Sequence, residues 1–303
     1  MRTDALIIEG PDGFDPTAEV CGYPMMHRQV KAMVLARPFR VLIAGDKGMA
    51  PVIKKCTRLG ADFLYPGILA SSKLVDVDSL TRGLTYLKGK CDSVMITPAN
   101  YPFINTETYK TVLDSDAEIT VAAYNGKRGW PVLITTAMID EAIQLSDIST
   151  LLSIHSEKLS EIETADVGVI TDVCAEDFTE ELGEELSNSH SLHRLHSMIS
   201  PVMSREEPFF GRGIMQILRL VDETSAMTEV WRMMGMAATH GWKIMNRARD
   251  FIGEPMLETV RKPATGTLLT PEGRRYMEKY ARWYERSEAF AQQVFDEEFA
   301  EDN

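Results

Sequence analysis

The sequence predicts an α/β protein in which a domain with a mainly parallel sheet is followed by a mostly helical domain. Over the first part of the 303 residues, short apolar runs alternate with amphipathic stretches, the pattern of βαβ units. The last part shows helical spacing with one short extended stretch. We therefore expect a first domain over residues 1–186, a linker over 187–211 and a second domain over 212–303.

Five apolar runs predict the strands of the sheet, and three amphipathic segments predict helices between them. The strands are DALIIEG, RVLIAG, DFLYPG, SVMITPA and EITVAAY, and the helices are YPMMHRQVKAMVLA, MAPVIKKCTRLG and DSLTRGLTYLKG. Functional groups in such sheets gather at the carboxyl ends of the strands. Three loops are expected there: one after Gly10, one at Asn100, and one over residues 124–131.

Composition and charge narrow the class of protein. No apolar run approaches the roughly 20 residues that span a bilayer, and MRTDALIIEG has no signal-peptide core, so we expect a cytoplasmic location and no membrane contact. Residues 1–211 carry 19 basic and 30 acidic side chains, residues 212–286 carry 13 and 9, and the tail adds six acids. The net charge of −13 argues against indiscriminate nucleic-acid binding, but the uneven distribution marks a boundary near residue 211.

The first domain resembles a known family of transferases. The segments LIIEG, GYPMMHRQV, ITPANYPFI, YNGKRGWPVLI and ADVGVITDVCAEDF follow the order seen in the MobA/MocA-like nucleotidyltransferases, which attach GMP or CMP to molybdopterin. The resemblance covers residues 3–185 and is greatest to the cytidylyl branch. It implies a Rossmann-like nucleotidyltransferase domain with a glycine-rich nucleotide loop, a magnesium-binding Asp and an N-G-x-R-G-H-P acceptor segment. At the matching positions it implies nucleotide or ligand contacts from Gly10, Gly13, Asn100, Tyr101, Pro102, Asn125, Arg128 and Gly129.

The sequence departs from the family at the centre of its chemistry. The first loop, GPDGFDPTAEVCG, has three acids and no base, and Asn100 stands where the family has its metal-binding Asp. The second metal residue is Asp172 or Cys174, and Trp130 replaces the family's His. If Mg²⁺ is bound, Asn100 and Asp172 are the expected ligands. Because phosphoryl transfer depends on positioning and on neutralising charge, these departures favour a degenerate, inactive site that still binds a ligand.

Three of the implied ligand residues have structural alternatives. Gly10 and Gly13 leave backbone amides accessible to an anion, but a glycine pair also fits a simple turn. Arg128 has two possible roles: it lines the ligand cleft, or it is a solvated charge on a loop.

The second domain resembles a DNA-binding family. Helical spacing predicts helices ending at Glu223 and Met234 and a third from Ala237 to Ile252, followed by a hairpin and a long helix from Pro271. The segments GWKI, IGEPMLE and LTPEGRRYMEKY resemble the winged-helix domain of the molybdate-responsive regulator ModE, itself similar to the LysR-type domain. The resemblance covers residues 208–290, and EEPFFGRG resembles the join in fusions of the two families.

The second resemblance implies where DNA would be contacted. The third helix would enter the major groove, and the wing would contact the backbone. The implied DNA-binding residues are Thr239, His240, Lys243 and Arg247 on the helix and Arg261 and Lys262 in the wing. Ala237 and Ala238 offer little base recognition, so weak DNA binding is expected. Alternatively, the fold serves dimerisation through its aromatic final helix.

Two functions remain. The favoured one is a molybdenum-cofactor-related transcription regulator or sensor, a homodimer whose inactive nucleotidyltransferase-like domain binds a nucleotide or molybdopterin-like ligand. The alternative is an active CTP:molybdopterin cytidylyltransferase with an accessory winged-helix domain. Only the alternative requires Mg²⁺ for catalysis.

Overall fold

The computed structural model describes residues 2–45, 49–64, 77–193, 195, 197–260 and 266–299. The chain forms two compact units, Met1–His193 and Arg194–Asn303. Among the described residues, no helix is both long and apolar enough to cross a membrane.

A seven-stranded sheet organises the described part of the first unit, in the order β5-β4-β1-β6-β8-β7-β9. Strand β8 is antiparallel to both of its neighbours, and the other strand pairs are parallel. This is the mainly parallel, Rossmann-like α/β sheet that the sequence predicts. The first unit's strands, which include a separate small hairpin of β2 and β3, are Thr3–Ile8 (β1), Glu19–Val20 (β2), Tyr23–Pro24 (β3), Arg40–Ala44 (β4), Ala61–Leu64 (β5), Ser93–Pro98 (β6), Ile119–Tyr124 (β7), Lys127–Thr135 (β8) and Leu159–Glu163 (β9).

Helices connect the strands, and the five strands and three helices predicted from the apolar pattern are confirmed. The central strands β4 and β6 are buried along their whole length, as expected for a parallel sheet covered on both faces. The first unit's helices are Met25–Leu35 (α1), Ala50–Leu59 (α2), Ser79–Leu87 (α3), Thr106–Leu113 (α4), Thr136–Leu145 (α5), Ile148–Ile154 (α6) and Glu180–Ser189 (α7). Short 3₁₀ turns occur at Ser156–Lys158, Val167–Ile170 and Ser191–His193.

The prediction of a loop over residues 124–131 is wrong. A two-residue turn at Asn125 and Gly126, both with positive φ (51° and 72°), leads directly into the antiparallel strand β8. Asn-Gly is the dipeptide that tight hairpin turns favour, because both positions need a left-handed backbone. As a result, Arg128 and Gly129 lie on a strand of the sheet.

The second unit is mostly helical. Its elements are Met203–Ser204 (β10), Pro208–Phe210 (β11), Arg212–Thr224 (α8), Met227–Met233 (α9), Ala238–Ile252 (α10), Leu257–Val260 (β12), Gly266–Leu269 (β13) and Pro271–Glu298 (α11). The predicted helices are confirmed, as are the hairpin, the stop at Gly253 in a left-handed conformation and the start at Pro271. Thr270 caps α11 by accepting a hydrogen bond from the Gly273 amide at 3.0 Å. This order of elements is compatible with the expected winged helix.

Candidate functional site

The carboxyl ends of β1 and β6 form the floor of the candidate site. The two strands are parallel neighbours, with Ile8 opposite Pro98. The pairing continues past the strand ends, since the Ala99 amide donates to the Ile8 carbonyl at 2.9 Å. The loop after Gly10 and the turn at Asn100 therefore begin side by side, as the fold class predicts.

Asn100 is a buried polar residue at this edge. Its side chain is only 3% exposed, and its Oδ1 accepts no hydrogen bond from the described residues. The turn is fixed by two donors to the Pro98 carbonyl, the Tyr101 amide at 3.3 Å and Gln29 Nε2 at 2.7 Å. A buried acceptor without a partner costs about 1–3 kcal/mol. Asn100 Oδ1 is therefore a buried acceptor that the described part of the fold leaves unused.

The structure brings Asp172 beside this turn. The amide of Val173 donates to the Asn100 carbonyl at 3.0 Å, which joins the two segments. Asp172 Oδ1 accepts from the Cys174 amide at 2.8 Å. Burial, and then the charge of Asp172, raise the pKa of the Cys174 thiol. Because Mg²⁺ prefers oxygen ligands to sulfur, the Asp172 carboxylate is the better ligand of the two.

Two glycines allow the segment before Asp172 to pack closely. A Cβ on Gly129 would lie 2.0 Å from the Val169 carbonyl oxygen, and one on Gly168 would lie 2.2 Å from that of Phe103. The 3₁₀ turn Val167–Ile170 thus fits between β8 and the loop that follows Asn100. Gly129, expected to contact a ligand, has a packing role in the structure.

Asp166 also holds this segment, and the sequence analysis missed it. Its carboxylate accepts from the Asn105 amide (2.8 Å) and Nδ2 (2.9 Å), Thr108 Oγ1 (2.6 Å) and the Gly168 amide (3.0 Å). A buried carboxylate so fully hydrogen-bonded is a structural clamp. The local signal was an Asp two residues before a glycine, a pattern that favours a turn.

Tyr101 and Trp130 form an aromatic pair at the site. Their ring centroids lie 6.2 Å apart with the planes 58° apart, and both side chains are half-buried against the core. Burial, and then the charge of Asp172, raise the pKa of Tyr101, while a hydrogen bond from Trp130 lowers it. The phenol is therefore neutral at physiological pH. Trp130, in place of the family's His, offers a ring face and no titratable nitrogen.

Arg128 and Asn125 lie on the hairpin of β7 and β8. Arg128 donates to Glu161 Oε1 from Nε at 2.8 Å and from Nη2 at 2.5 Å, and its side chain is exposed. Asn125 is an exposed turn residue. This geometry fits the alternative of a solvated charge for Arg128, because Glu161 already neutralises its guanidinium.

The first loop consists of turns and carries acidic charge. Gly13 has φ +86°, and the Phe14 amide donates to the Pro11 carbonyl at 3.0 Å. Asp15 accepts from Thr17 Oγ1 at 2.7 Å and from the Thr17 amide at 2.8 Å, which lowers the pKa of its carboxyl. The loop is therefore negatively charged at neutral pH, and the turn reading of Gly10 and Gly13 agrees with its geometry.

The donor set at the site limits the kind of metal it could hold. No cluster of three His, Cys, Asp or Glu side chains suited to a metal occurs among the described residues. Asn100 Oδ1 and the Asp172 carboxylate are oxygen donors with one negative charge between them. Since Mg²⁺ takes roughly six oxygens, these residues fit an ion held mainly by a ligand's phosphates.

The implied DNA-binding residues have mixed surroundings. Thr239, His240 and Lys243 are exposed at the start of α10. Arg247 is already paired with Glu207, a contact between distant residues that sequence reasoning missed. Arg261 and Lys262 lie outside the described residues. Other arginines of this unit are paired with acids as well: Arg249 with Asp250, Arg274 with Asp222 and Arg275 with Glu272.

Comparison with known proteins finds a similarity for the first unit. Residues 15–162 match the family model of the MobA-like NTP transferase domain. Over these residues the first unit is similar to the nucleotidyltransferase domain of that family. The match ends before the second unit, and no curated protein matches the chain.

Solved structures share the fold of the first unit. A nucleotidyl transferase from Methanothermobacter thermautotroptrophicus is 14% identical with a TM-score of 0.51, covering 62% of this chain and 98% of that one. The homolog of Mycobacterium tuberculosis rv0371c from Mycobacterium sp. strain JC1 is 16% identical with a TM-score of 0.50 and the same coverage. At such identities the likeness concerns the fold alone.

Proposed function

We propose that the protein is a molybdenum-cofactor-related sensor or transcription regulator whose MobA-like domain binds a ligand without transferring a nucleotide. The observation that carries this proposal is Asn100, a neutral amide whose buried Oδ1 has no partner among the described residues. It stands at the position where the resemblance implies a metal-binding carboxylate. The site thus retains an acceptor for a ligand but lacks a charge for catalysis.

The missing charge matters because the reaction depends on it. A carboxylate at ~4 Å from a divalent ion, in an effective dielectric of about 20, interacts with an upper figure of roughly 8 kcal/mol. Nucleotidyl transfer relies on metal and cations to neutralise the triphosphate. The acidic first loop, with Asp15 ionised, supplies repulsion instead. The missing carboxylate and the negative charge of the first loop both argue against efficient nucleotidyl transfer.

The ligand we propose is a nucleotide or a molybdopterin-like molecule. Asn100 and Asp172 would accept hydrogen bonds or help to hold a phosphate-bound Mg²⁺, and the pair of Tyr101 and Trp130 would pack against an aromatic ring. Each of these groups would bind or orient the ligand.

Thermal-shift titration with CTP, GTP and molybdate, with and without Mg²⁺, tests the binding. Stabilisation by at least one of these ligands is expected, and no shift with any of them contradicts the sensor. A transfer assay with CTP and molybdopterin is expected to show no magnesium-dependent product. Product at ordinary enzymatic rates would refute the inactive site and establish the alternative cytidylyltransferase.

We propose weak DNA binding for the second unit. Three helices, a hairpin and a long helix in this order support a winged helix, and Lys243 is an exposed cation on α10. Arg247, paired with Glu207, can contact phosphate only by exchanging its partner. Binding should therefore be weak and strongly salt-dependent.

Mobility shifts on the protein's own upstream DNA at low salt test this proposal. Lys243→Ala should weaken binding to every sequence and reduce the slope against log salt by about one unit. Arg261→Ala and Lys262→Ala should act alike, and His240→Ala should change preference among sequences more than affinity. No shift with or without ligand would leave the second unit as a dimerisation module.

A homodimer and a cytoplasmic location complete the proposal. Helix α11 exposes large apolar side chains, among them Trp283 (40%) and Phe290 (66%). Residues 271–286 hold five basic and three acidic side chains, and residues 287–298 hold four acids and no base. Two copies in antiparallel contact would cover the apolar groups and place opposite charges together.

A further inference from the structure

Arg28 is a buried cation without an acidic partner among the described residues. It lies on α1, is 3% exposed and takes part in no ion pair within the described chain. Its Nη2 donates to Ser187 Oγ at 2.7 Å and weakly to the Val20 carbonyl at 3.4 Å, while Nε has no hydrogen-bond partner there. The buried arginines Arg40 and Arg82 differ, since Arg40 pairs with Asp4 and Arg82 donates to two carbonyls.

The surroundings of Arg28 compensate its charge poorly. Its guanidinium lies 5.2 Å from the ring centroids of both Tyr23 and Phe103. Burial lowers the pKa of Arg28, and only Cys21 and Tyr23 oppose this change. An arginine stays protonated in proteins, so the fold contains a positive charge matched by ring faces and a hydroxyl. Such a charge is strongly stabilised by an anion that reaches it.

Arg28 joins two segments of the first unit. On one side is the hairpin of β2 and β3, the end of the first loop, whose Cys21 and Gly22 turn has positive φ. On the other side is α7, which packs so closely on the hairpin that a Cβ on Gly183 would lie 2.9 Å from Val20. The hydrogen bond from Arg28 to Ser187 is therefore a link between the first loop and α7.

We propose that Arg28 is an oxyanion-binding residue and that its bond to Ser187 acts as a latch on α7. A phosphoryl oxygen entering over the first loop takes the guanidinium from the Ser187 hydroxyl, because a hydrogen bond between two oppositely charged groups is stronger than one from the guanidinium to a neutral hydroxyl. Helix α7 is then released from the hairpin. Arg28 supplies the cation that the first loop itself lacks. The inference rests on the proposed ligand-binding function and adds its regulation.

The test uses the full-length protein, with inorganic tripolyphosphate, CTP and orthophosphate as probes. Calorimetry measures affinity, and hydrogen exchange followed by mass spectrometry measures the protection of residues 180–189. Tripolyphosphate and CTP should bind and speed up exchange in α7. If orthophosphate alone does so, the oxyanion is a free phosphate and not part of a nucleotide; Arg28 keeps its role.

Variants give predictions of opposite sign. Ser187→Ala removes the competing hydroxyl and should tighten tripolyphosphate binding about tenfold, the factor expected for one hydrogen bond to a charged group. Arg28→Gln should abolish binding. Arg58→Gln removes an exposed charge on α2 and should change nothing. Should Arg28→Gln fail to fold, the tighter binding of Ser187→Ala still decides the question.

The two proposals fail in different ways. Unchanged or weaker binding by Ser187→Ala, or unchanged exchange in α7 when CTP binds, overturns the latch but leaves ligand binding in place. Release of α7 by tripolyphosphate, with no binding of CTP, GTP or molybdate, supports the latch and contradicts the proposed ligands. No binding of any probe refutes both.

Discussion

Replacing Asn100 by Asp restores the charge that the site lacks and tests the argument about its chemistry. The two side chains have nearly the same shape, so packing around the turn should be preserved. In the absence of metal, Asn100→Asp places a carboxyl in a position that is 3% exposed. Burial raises the pKa of such a group above the unfolded value of about 3.9.

The expected loss of stability follows from this pKa. An acid whose folded-state pKa is raised folds without penalty below the unfolded pKa, and the loss grows as the pH rises until it is complete above the folded pKa. A rise of one to two units corresponds to about 1.4–2.7 kcal/mol. For a unit of this size the melting temperature should fall by roughly 2–4 °C per kcal/mol at pH 7.5, and by much less at pH 4.

Bound Mg²⁺ and CTP should reverse the effect. The attraction of roughly 8 kcal/mol is offset by several kcal/mol for desolvating the carboxylate, so we expect Mg²⁺-dependent CTP affinity to rise at least about tenfold. Calorimetry at pH 7.5 with and without Mg²⁺ measures it. Gln144→Glu, the same amide-to-carboxylate change on an exposed position of α5, is the control and should have no effect. A folded Asn100→Asp protein with unchanged or weaker Mg²⁺-dependent affinity would refute the reasoning.

Three further predictions concern packing, capping and assembly. Gly129→Ala brings a Cβ to 2.0 Å from the Val169 carbonyl oxygen and should destabilise the first unit by about 1–3 kcal/mol in urea melts. Gly213→Ala, which has open space around it on α8, should stabilise the second unit by about 0.5–1 kcal/mol. Equal effects of the two variants would contradict the close contact between Gly129 and Val169. Hydrogen bonds from the Thr150 and Ser149 hydroxyls lower the pKa of Asp147 to about 2, so its capping of α6 is complete above pH 3.8 and is lost as the pH falls towards 2. Asp147→Ala should therefore cost about 1 kcal/mol at pH 7 and progressively less as the pH falls through 2; a loss independent of pH would show another cause. Phe290→Lys combined with Val294→Lys should convert a dimer into a monomer in light scattering, while Ile154→Lys, at an exposed apolar position of the first unit, should not. A wild-type monomer at micromolar concentration would contradict the dimer.

Local sequence patterns predicted most of the strands and helices. Apolar runs gave the strands because parallel strands are buried on both faces, and Gly253 and Pro271 marked helix ends because each restricts its own backbone. The Asn125-Gly126 dipeptide also predicts a turn, but the resemblance of residues 124–131 to a family segment led us to expect a longer loop. These two residues complete the turn, so the residues after them belong to strand β8 and not to the expected loop.

The site was only partly predictable because its decisive contacts join distant residues. Asn100 and Asp172 were found as positions in motifs, but the missing partner of Asn100 Oδ1 depends on everything packed around it. The contacts of Arg28 with Ser187 and of Arg247 with Glu207 connect residues far apart in the sequence, and no local spacing reports them. Long-range pairing of this kind is set by the fold as a whole.

The position of β8 has a consequence for partial chains. Strand β6 precedes β7 and β8 in the sequence. One of its two hydrogen-bonding edges pairs with β1 and the other with β8, which follows β7 along the chain. A fragment ending before Lys127 would leave that edge open in the centre of the sheet, and unpaired apolar edges promote aggregation. During synthesis on the ribosome, the same edge stays vulnerable until Thr135 has emerged. Truncations of this protein should therefore retain the complete β7–β8 hairpin.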